Sequence, residues 1–86
     1  MKKTNWTTLD IHVAAYLQYR GIPIELENLG GRVIFTAPAS DELYRLTTAY
    51  NQNDSVPVAD FVGVLRALKA RMFALKSSGV GVRHVE

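Results

Sequence analysis

Histidines, carboxylates and glycine pairs are the residues of this chain that could carry chemistry, and their spacing is the first test of whether they do. His12 and His84 are the only histidines in 86 residues. Neither belongs to a His-x-x-x-His pair or to a carboxylate cluster, so no metal site is expected. His12 reads as a surface or half-buried residue of a helix. Asn51-x-Asn53-x-Ser55 matches the start of a calcium loop, but the position that needs glycine is Val56 and the position of the bidentate glutamate is Val62. The segment reads instead as a polar loop with Asx turns.

Gly79-Val80-Gly81 precedes no helical pattern, and Gly30-Gly31 is accounted for by a hairpin. Neither has the strand-loop-helix context that turns backbone amides onto a phosphate, so no nucleotide or other cofactor is expected. Asp10, Glu25, Glu27, Asp41, Glu42, Asp54 and Asp60 fall at helix starts, on the solvent side of a strand or in polar loops. There is no cysteine, which excludes a disulfide scaffold, a thiolate metal site and a cysteine nucleophile. A chain this short has little volume for a deep, dry pocket. No catalytic residue is assigned and the chain is read as non-enzymatic. A closed pocket converging on Asp10, His12 or Tyr16 would restore an enzymatic or ligand-binding reading.

What remains is basic charge. Residues 61–86 hold Arg66, Lys69, Arg71, Lys76 and Arg83 against Glu86 alone, although the net charge of the chain is only +2. Arg66, Lys69, Phe73 and Lys76 recur at i, i+3, i+7 and i+10, a stripe on one helix face, and Arg71 and Arg83 are candidates to extend it. Such a stripe suits an acidic protein or a phosphate backbone, with Phe73 as an apolar centre. A solvated helix face would carry the same pattern.

These residues need elements to position them. Thr7 or Thr8 is placed to cap a first helix, with Asp10 in its first turn and Leu9, Val13, Tyr16 and Leu17 as its apolar stripe. Gly21 ends it and Pro23 prevents its resumption. Ile24 and Leu26 alternate with Glu25 and Glu27. Gly30-Gly31 then makes a two-residue turn that sets Leu26 opposite Phe35 and Asn28 opposite Val33. Pro38 closes the second strand. Ser40 caps a second helix whose inner face is Leu43, Leu46, Thr47 and Tyr50. Phe61, Val64, Leu65, Leu68, Met72 and Leu75 hold helical spacing over about four turns. Ser77-Ser78-Gly79 is read as the end of that helix and residues 77–86 as a flexible tail. Val80 and Val82 alternate with Gly81 and Arg83, a pattern that would also suit a strand added to a sheet edge.

The order is helix, strand, strand, helix, helix. A lone hairpin is unstable in water, so its apolar side must lie on the helices. The expected fold is a two-layer α+β domain spanning residues 1–86, with an ordered core at about 7–76. Thr8-Leu9-Asp10, Ala14-Ala15, Gly31-Arg32-Val33-Ile34-Phe35 and Leu65-Arg66-Ala67-Leu68-Lys69 together resemble a family of small prokaryotic single-domain proteins of uncharacterised function. The resemblance covers residues 7 to about 73. It implies a shared fold and a bacterial, archaeal or phage-like origin, and no activity.

The longest uninterrupted apolar run, Val13 to Leu17, is far short of the roughly 20 residues a bilayer span needs. Asp10 and His12 break the region that would follow Lys2 and Lys3 in a secretion signal, so a cytoplasmic location is expected. A small core and leftover apolar residues (Trp6, Tyr19, Ile34 and Phe73) point to an interaction module whose partner is a second copy of the chain, as a dimer, or another protein. Nucleic acid, held by the last helix and tail, is the alternative.

Overall fold

The computed structural model describes the backbone of residues 5–84 and the side chains of residues 5–76. Its elements are β1 (Asn5–Thr8), α1 (Ile11–Tyr19), β2 (Glu25–Leu29), β3 (Arg32–Pro38), α2 (Asp41–Asn51) and α3 (Val58–His84). The α+β class is as expected. The antiparallel sheet has three strands rather than two, in the order β1-β3-β2.

The added strand changes how the first helix begins. Asn5–Thr8 pairs with β3 through Trp6↔Ala37 and Thr8↔Phe35, so neither Thr7 nor Thr8 caps α1. The Thr8 hydroxyl instead accepts from the Asp10 amide, and the Asp10 carboxylate accepts from the His12 amide at 2.9 Å. Asp10 is therefore the N-cap of α1. Leu9, expected on the helix stripe, lies outside the helix and is 57% exposed. A four-residue strand has too little alternation to stand out in sequence. It exists here because β3 offers a free edge.

The hairpin has the expected register, with Leu26 opposite Phe35 and Asn28 opposite Val33. Gly30 and Gly31 have φ of 63° and 88°, the doubly positive combination that matches the twist of the flanking strands. Gly21 (φ 99°) closes α1 as anticipated. Its amide bonds to Gln18 O and the Ile22 amide to Leu17 O, which satisfies carbonyls left free at the helix end. Ser40 caps α2 by accepting from the Leu43 amide. The far end of α2 repeats the closing device with asparagine. Asn53 takes φ 66°, and the amides of Asn53 and Asp54 bond back to Tyr50 O and Ala49 O. The stretch read as a plain polar loop is thus a helix cap that fixes Asp54 in place.

One face of the sheet is covered by helices. Val33, Phe35 and Ala37 are buried there with Ala14, Ala15, Tyr16 and Leu17 of α1, Leu43 of α2 and Leu68 of α3. Leu26, Leu46, Phe61 and Met72 are half-buried against this core. The other sheet face carries exposed Glu25, Glu27, Leu29 and Arg32 around half-buried Ile34 and buried Thr36. Helix α3 continues to His84, past Ser77-Ser78-Gly79, where the sequence places its end. Glycine costs a helix about 1 kcal/mol relative to alanine but does not break it as proline does. Val80 and Val82 accordingly lie in helix rather than in an added strand.

Candidate interaction surfaces

Each residue of α3 advances about 100° around the helix axis, which places Arg66, Lys69, Phe73 and Lys76 within one arc away from Leu68. All four are exposed, Phe73 to 58%. Among the described residues no carboxylate pairs with the three cations. Exposed Ala67, Ala70 and Ala74 run alongside, so the face is apolar and thin between its charges.

Arg71 does not extend this stripe. Its guanidinium donates to Ile24 O at 3.1 Å and to Gln18 Oε1 at 3.4 Å, tying α3 to the approach to β2 and to α1. Five positions beyond Arg66, it lies on the flank of the helix nearer the core, where a long stem with a planar fork reaches a neighbouring carbonyl. The Arg83 side chain lies outside the described residues. Of the apolar residues singled out in sequence, Trp6, Tyr19 and Ile34 are half-buried, and only Phe73 is exposed.

Among the described residues, grooves lie beside the core. An open one of about 440 Å3 lies where the β1–α1 turn, the hairpin and α3 meet. Leu9, Val33, Phe35 and Met72 supply its apolar lining, and Arg32 and Lys76 its charge. No carboxylate is among its lining residues.

The second groove, about 500 Å3, is lined by His12, Tyr16, Tyr50, Asn53, Asp54 and Phe61 among others. It brings together two residues, His12 and Tyr16, at which a closed pocket would have pointed to an enzyme. It is open rather than closed, and two of its polar groups, Tyr16 and Asp54, are engaged with each other. The Tyr16 hydroxyl donates to Asp54 Oδ2 at 2.6 Å, and Arg20 donates to the same oxygen at 2.7 Å. The Arg20 guanidinium lies 5.4 Å from the ring centroids of both Tyr16 and Tyr19. The hydrogen bonds from Tyr16 and then Arg20 hold the Asp54 carboxyl below its ordinary range. Burial, and then the bond to Asp54, push the Tyr16 hydroxyl up. Both shifts move away from neutrality, the opposite of what a general acid or base requires. The trio clasps α1 to the cap of α2. Sequence carried half the signal, since Tyr16 and Arg20 are four apart on one helix face. Asp54, 38 residues from Tyr16, could not be assigned to them by spacing.

His12 stands apart from this trio, with Nδ1 3.5 Å from Asp10 Oδ1 and more than half its side chain exposed. No cluster of three or more potential metal ligands occurs among the described residues. No helix among them is long and apolar enough to cross a membrane.

Fold and surfaces together define a small α+β domain of three antiparallel strands layered with three helices. The chain belongs to the family described as Domain of unknown function (DUF5659), whose model matches residues 3–74. That span contains the sheet, α1, α2 and the first part of α3 through Met72 and Phe73. No curated protein and no solved structure matches the chain.

Proposed function

We propose that this chain is a non-enzymatic interaction module that associates with a second copy of itself, in the cytoplasm of a prokaryote. One observation carries the reading. Helix α3 runs for 27 residues, about 40 Å at 1.5 Å per residue. Among the described residues Leu68 is its only fully buried member, and Phe61, Val64, Leu65, Met72 and Leu75 are half-buried against the core. Phe73 and Val58 are 58% and 75% exposed, and Leu9 and Leu29 add further apolar surface near the sheet. A chain of this size buries only about 60–65% of its unfolded surface by itself, and pairing covers more.

The engaged state of Asp54, Tyr16 and Arg20 supports the non-enzymatic part. Light scattering on size-exclusion fractions, taken over a range of loading concentrations, tests self-association. A mass rising from one chain to two supports it, and a strict monomer at the highest concentration refutes it.

A second reading rests on a separate observation: Arg66, Lys69 and Lys76 share a face on which, among the described residues, no carboxylate pairs with them. Such a face suits nucleic acid. Fluorescence anisotropy with a labelled duplex and a labelled single strand would then show affinity falling steeply with salt, and shallower after Lys69→Ala and Lys76→Ala. Absence of binding at low salt removes this reading and leaves the first intact.

A further inference from the structure

We infer that the groove between α1, the cap of α2 and the start of α3 binds a small organic ammonium ion. Its N–H groups meet the Asp54 carboxylate and its carbon skeleton lies against Tyr50 and Phe61. The inference stands apart from the self-association reading and does not depend on it.

The lining carries the chemistry. Three aromatic residues, Tyr16, Tyr50 and Phe61, line the groove together with one carboxylate, Asp54, and neither lysine nor arginine is among its lining residues. Tyr16 and Tyr50 meet at 58° with ring centroids 5.5 Å apart, a corner rather than a flat stack. Aromatic faces and carboxylates both attract a cation that carries N–H groups. A phosphate or carboxylate ligand would meet Asp54 with no lysine or arginine beside it.

The fold already makes this kind of contact once. The Arg20 guanidinium lies 5.4 Å from the Tyr16 centroid and donates to Asp54 Oδ2. Arg20 is not among the lining residues of the groove, whereas Asp54 is, so the ion pair presents its negative member there. A carboxylate offers about four acceptor positions. Tyr16 and Arg20 both use Oδ2, and the Ser55 amide supports the same carboxylate. At least one position on Oδ1 is left for a further donor. The bonds from Tyr16 and Arg20 also keep Asp54 ionised at neutral pH.

The end of α2 adds to the negative character. Helix α2 finishes at Asn51, which lines the groove, and its last turn holds no basic residue. The C-terminal end of a helix carries partial negative charge and favours a cation nearby. The volume of about 500 Å3 lies within the roughly 300–1,000 Å3 of sites that hold small ligands. Because the groove is open, the ligand stays partly in water, and an affinity of about 1 mM is expected.

Phenethylamine, protonated at pH 7, is the probe, titrated into the 15N-labelled full chain and followed by amide chemical shifts. Saturable shifts centred on His12, Tyr50, Asn53 and Phe61 are expected. The neutral analogue 2-phenylethanol and the anion phenylacetate are each expected to bind at least about tenfold more weakly, since both lack the charge-assisted bond. Asp54→Asn is expected to weaken phenethylamine about tenfold for the same reason. Tyr50→Leu, which keeps the carboxylate and an apolar wall, is expected to weaken it about threefold. Circular dichroism establishes that each variant is folded, and the comparison of the three probes on the wild-type chain decides the matter if one is not. No saturable shift with phenethylamine, equal binding of 2-phenylethanol, or shifts centred elsewhere on the chain would overturn the inference. Self-association stands or falls separately.

Discussion

The Tyr16 hydroxyl donates to the Asp54 carboxylate across 2.6 Å, joining residues 38 positions apart. The bond anchors the cap of α2, and the turn into α3 after it, onto the most buried helix of the fold. Tyr16 is 2% exposed, and Asp54 is the acceptor that its hydroxyl meets at the rim of the open groove. Tyr16→Phe keeps the ring and its tilted contact with Tyr50 and removes only this donor. It is expected to lower stability by about 1 kcal/mol, read as a lower urea midpoint with an unchanged slope. A midpoint equal to wild type would mean the bond contributes nothing.

The same pair sets a dependence on pH. The folded Asp54 carboxyl is held below its unfolded value, near 3.8. Its contribution is therefore complete above that value and fades as pH falls through the lower, folded one. The Tyr16 hydroxyl is raised above 10.0. Its contribution is complete below pH 10.0 and fades as pH rises through the folded value. Thermal midpoints of wild type and Asp54→Asn are expected to differ across the neutral range and to converge in acid. A difference that persists at the acid end would assign the effect to something other than this carboxylate.

Arg71 and Lys69 are two positions apart on α3 and differ in what they touch. Arg71 donates to a carbonyl and an amide oxygen, whereas Lys69 is exposed with no recorded partner among the described residues. Arg71→Ala is expected to cost about 1 kcal/mol, and Lys69→Ala to stay within about 0.5 kcal/mol of wild type. Paired urea titrations check this, and equal midpoints would make Arg71 an ordinary surface cation.

Leu68 and Phe73 lie on opposite sides of α3, one holding the domain and the other left over. Leu68 is fully buried and Phe73 is 58% exposed. Leu68→Ala is expected to destabilise by about 2–5 kcal/mol, enough to unfold a domain with a thin margin. Phe73→Ser is expected to remain folded, within about 0.5 kcal/mol. Circular dichroism melts of the two variants decide it.

Gly31 tests the hairpin. A Cβ there meets nothing within 4 Å, yet φ is 88°. Gly31→Ala is therefore expected to cost about 1 kcal/mol through backbone conformation alone, visible as a lower melting temperature. No change would show that the turn readily relaxes to another type.

Local rules decided much of this protein before any packing was known. The spacing of Leu43, Leu46 and Tyr50, and of Phe61, Leu65, Leu68 and Met72, is the period of a helix. Glycine pairs and single glycines admit backbone angles that other residues resist. These signals span a few residues each, so the register of Leu26 against Phe35, the Gly21 stop and the Ser40 cap were legible in the chain. Only the tertiary structure decided what depends on distant partners. Asn5–Thr8 became a strand because β3 had a vacant edge, and Asp10 became the cap of α1 because the strand occupied Thr8. Helical spacing already sets Arg71 off the basic stripe, but its bond to the Ile24 carbonyl needed the packed fold, and Asp54 met Tyr16 because an asparagine cap turned the chain there. Contacts between segments tens of residues apart leave no period in the sequence, since they arise from how the elements close over one core.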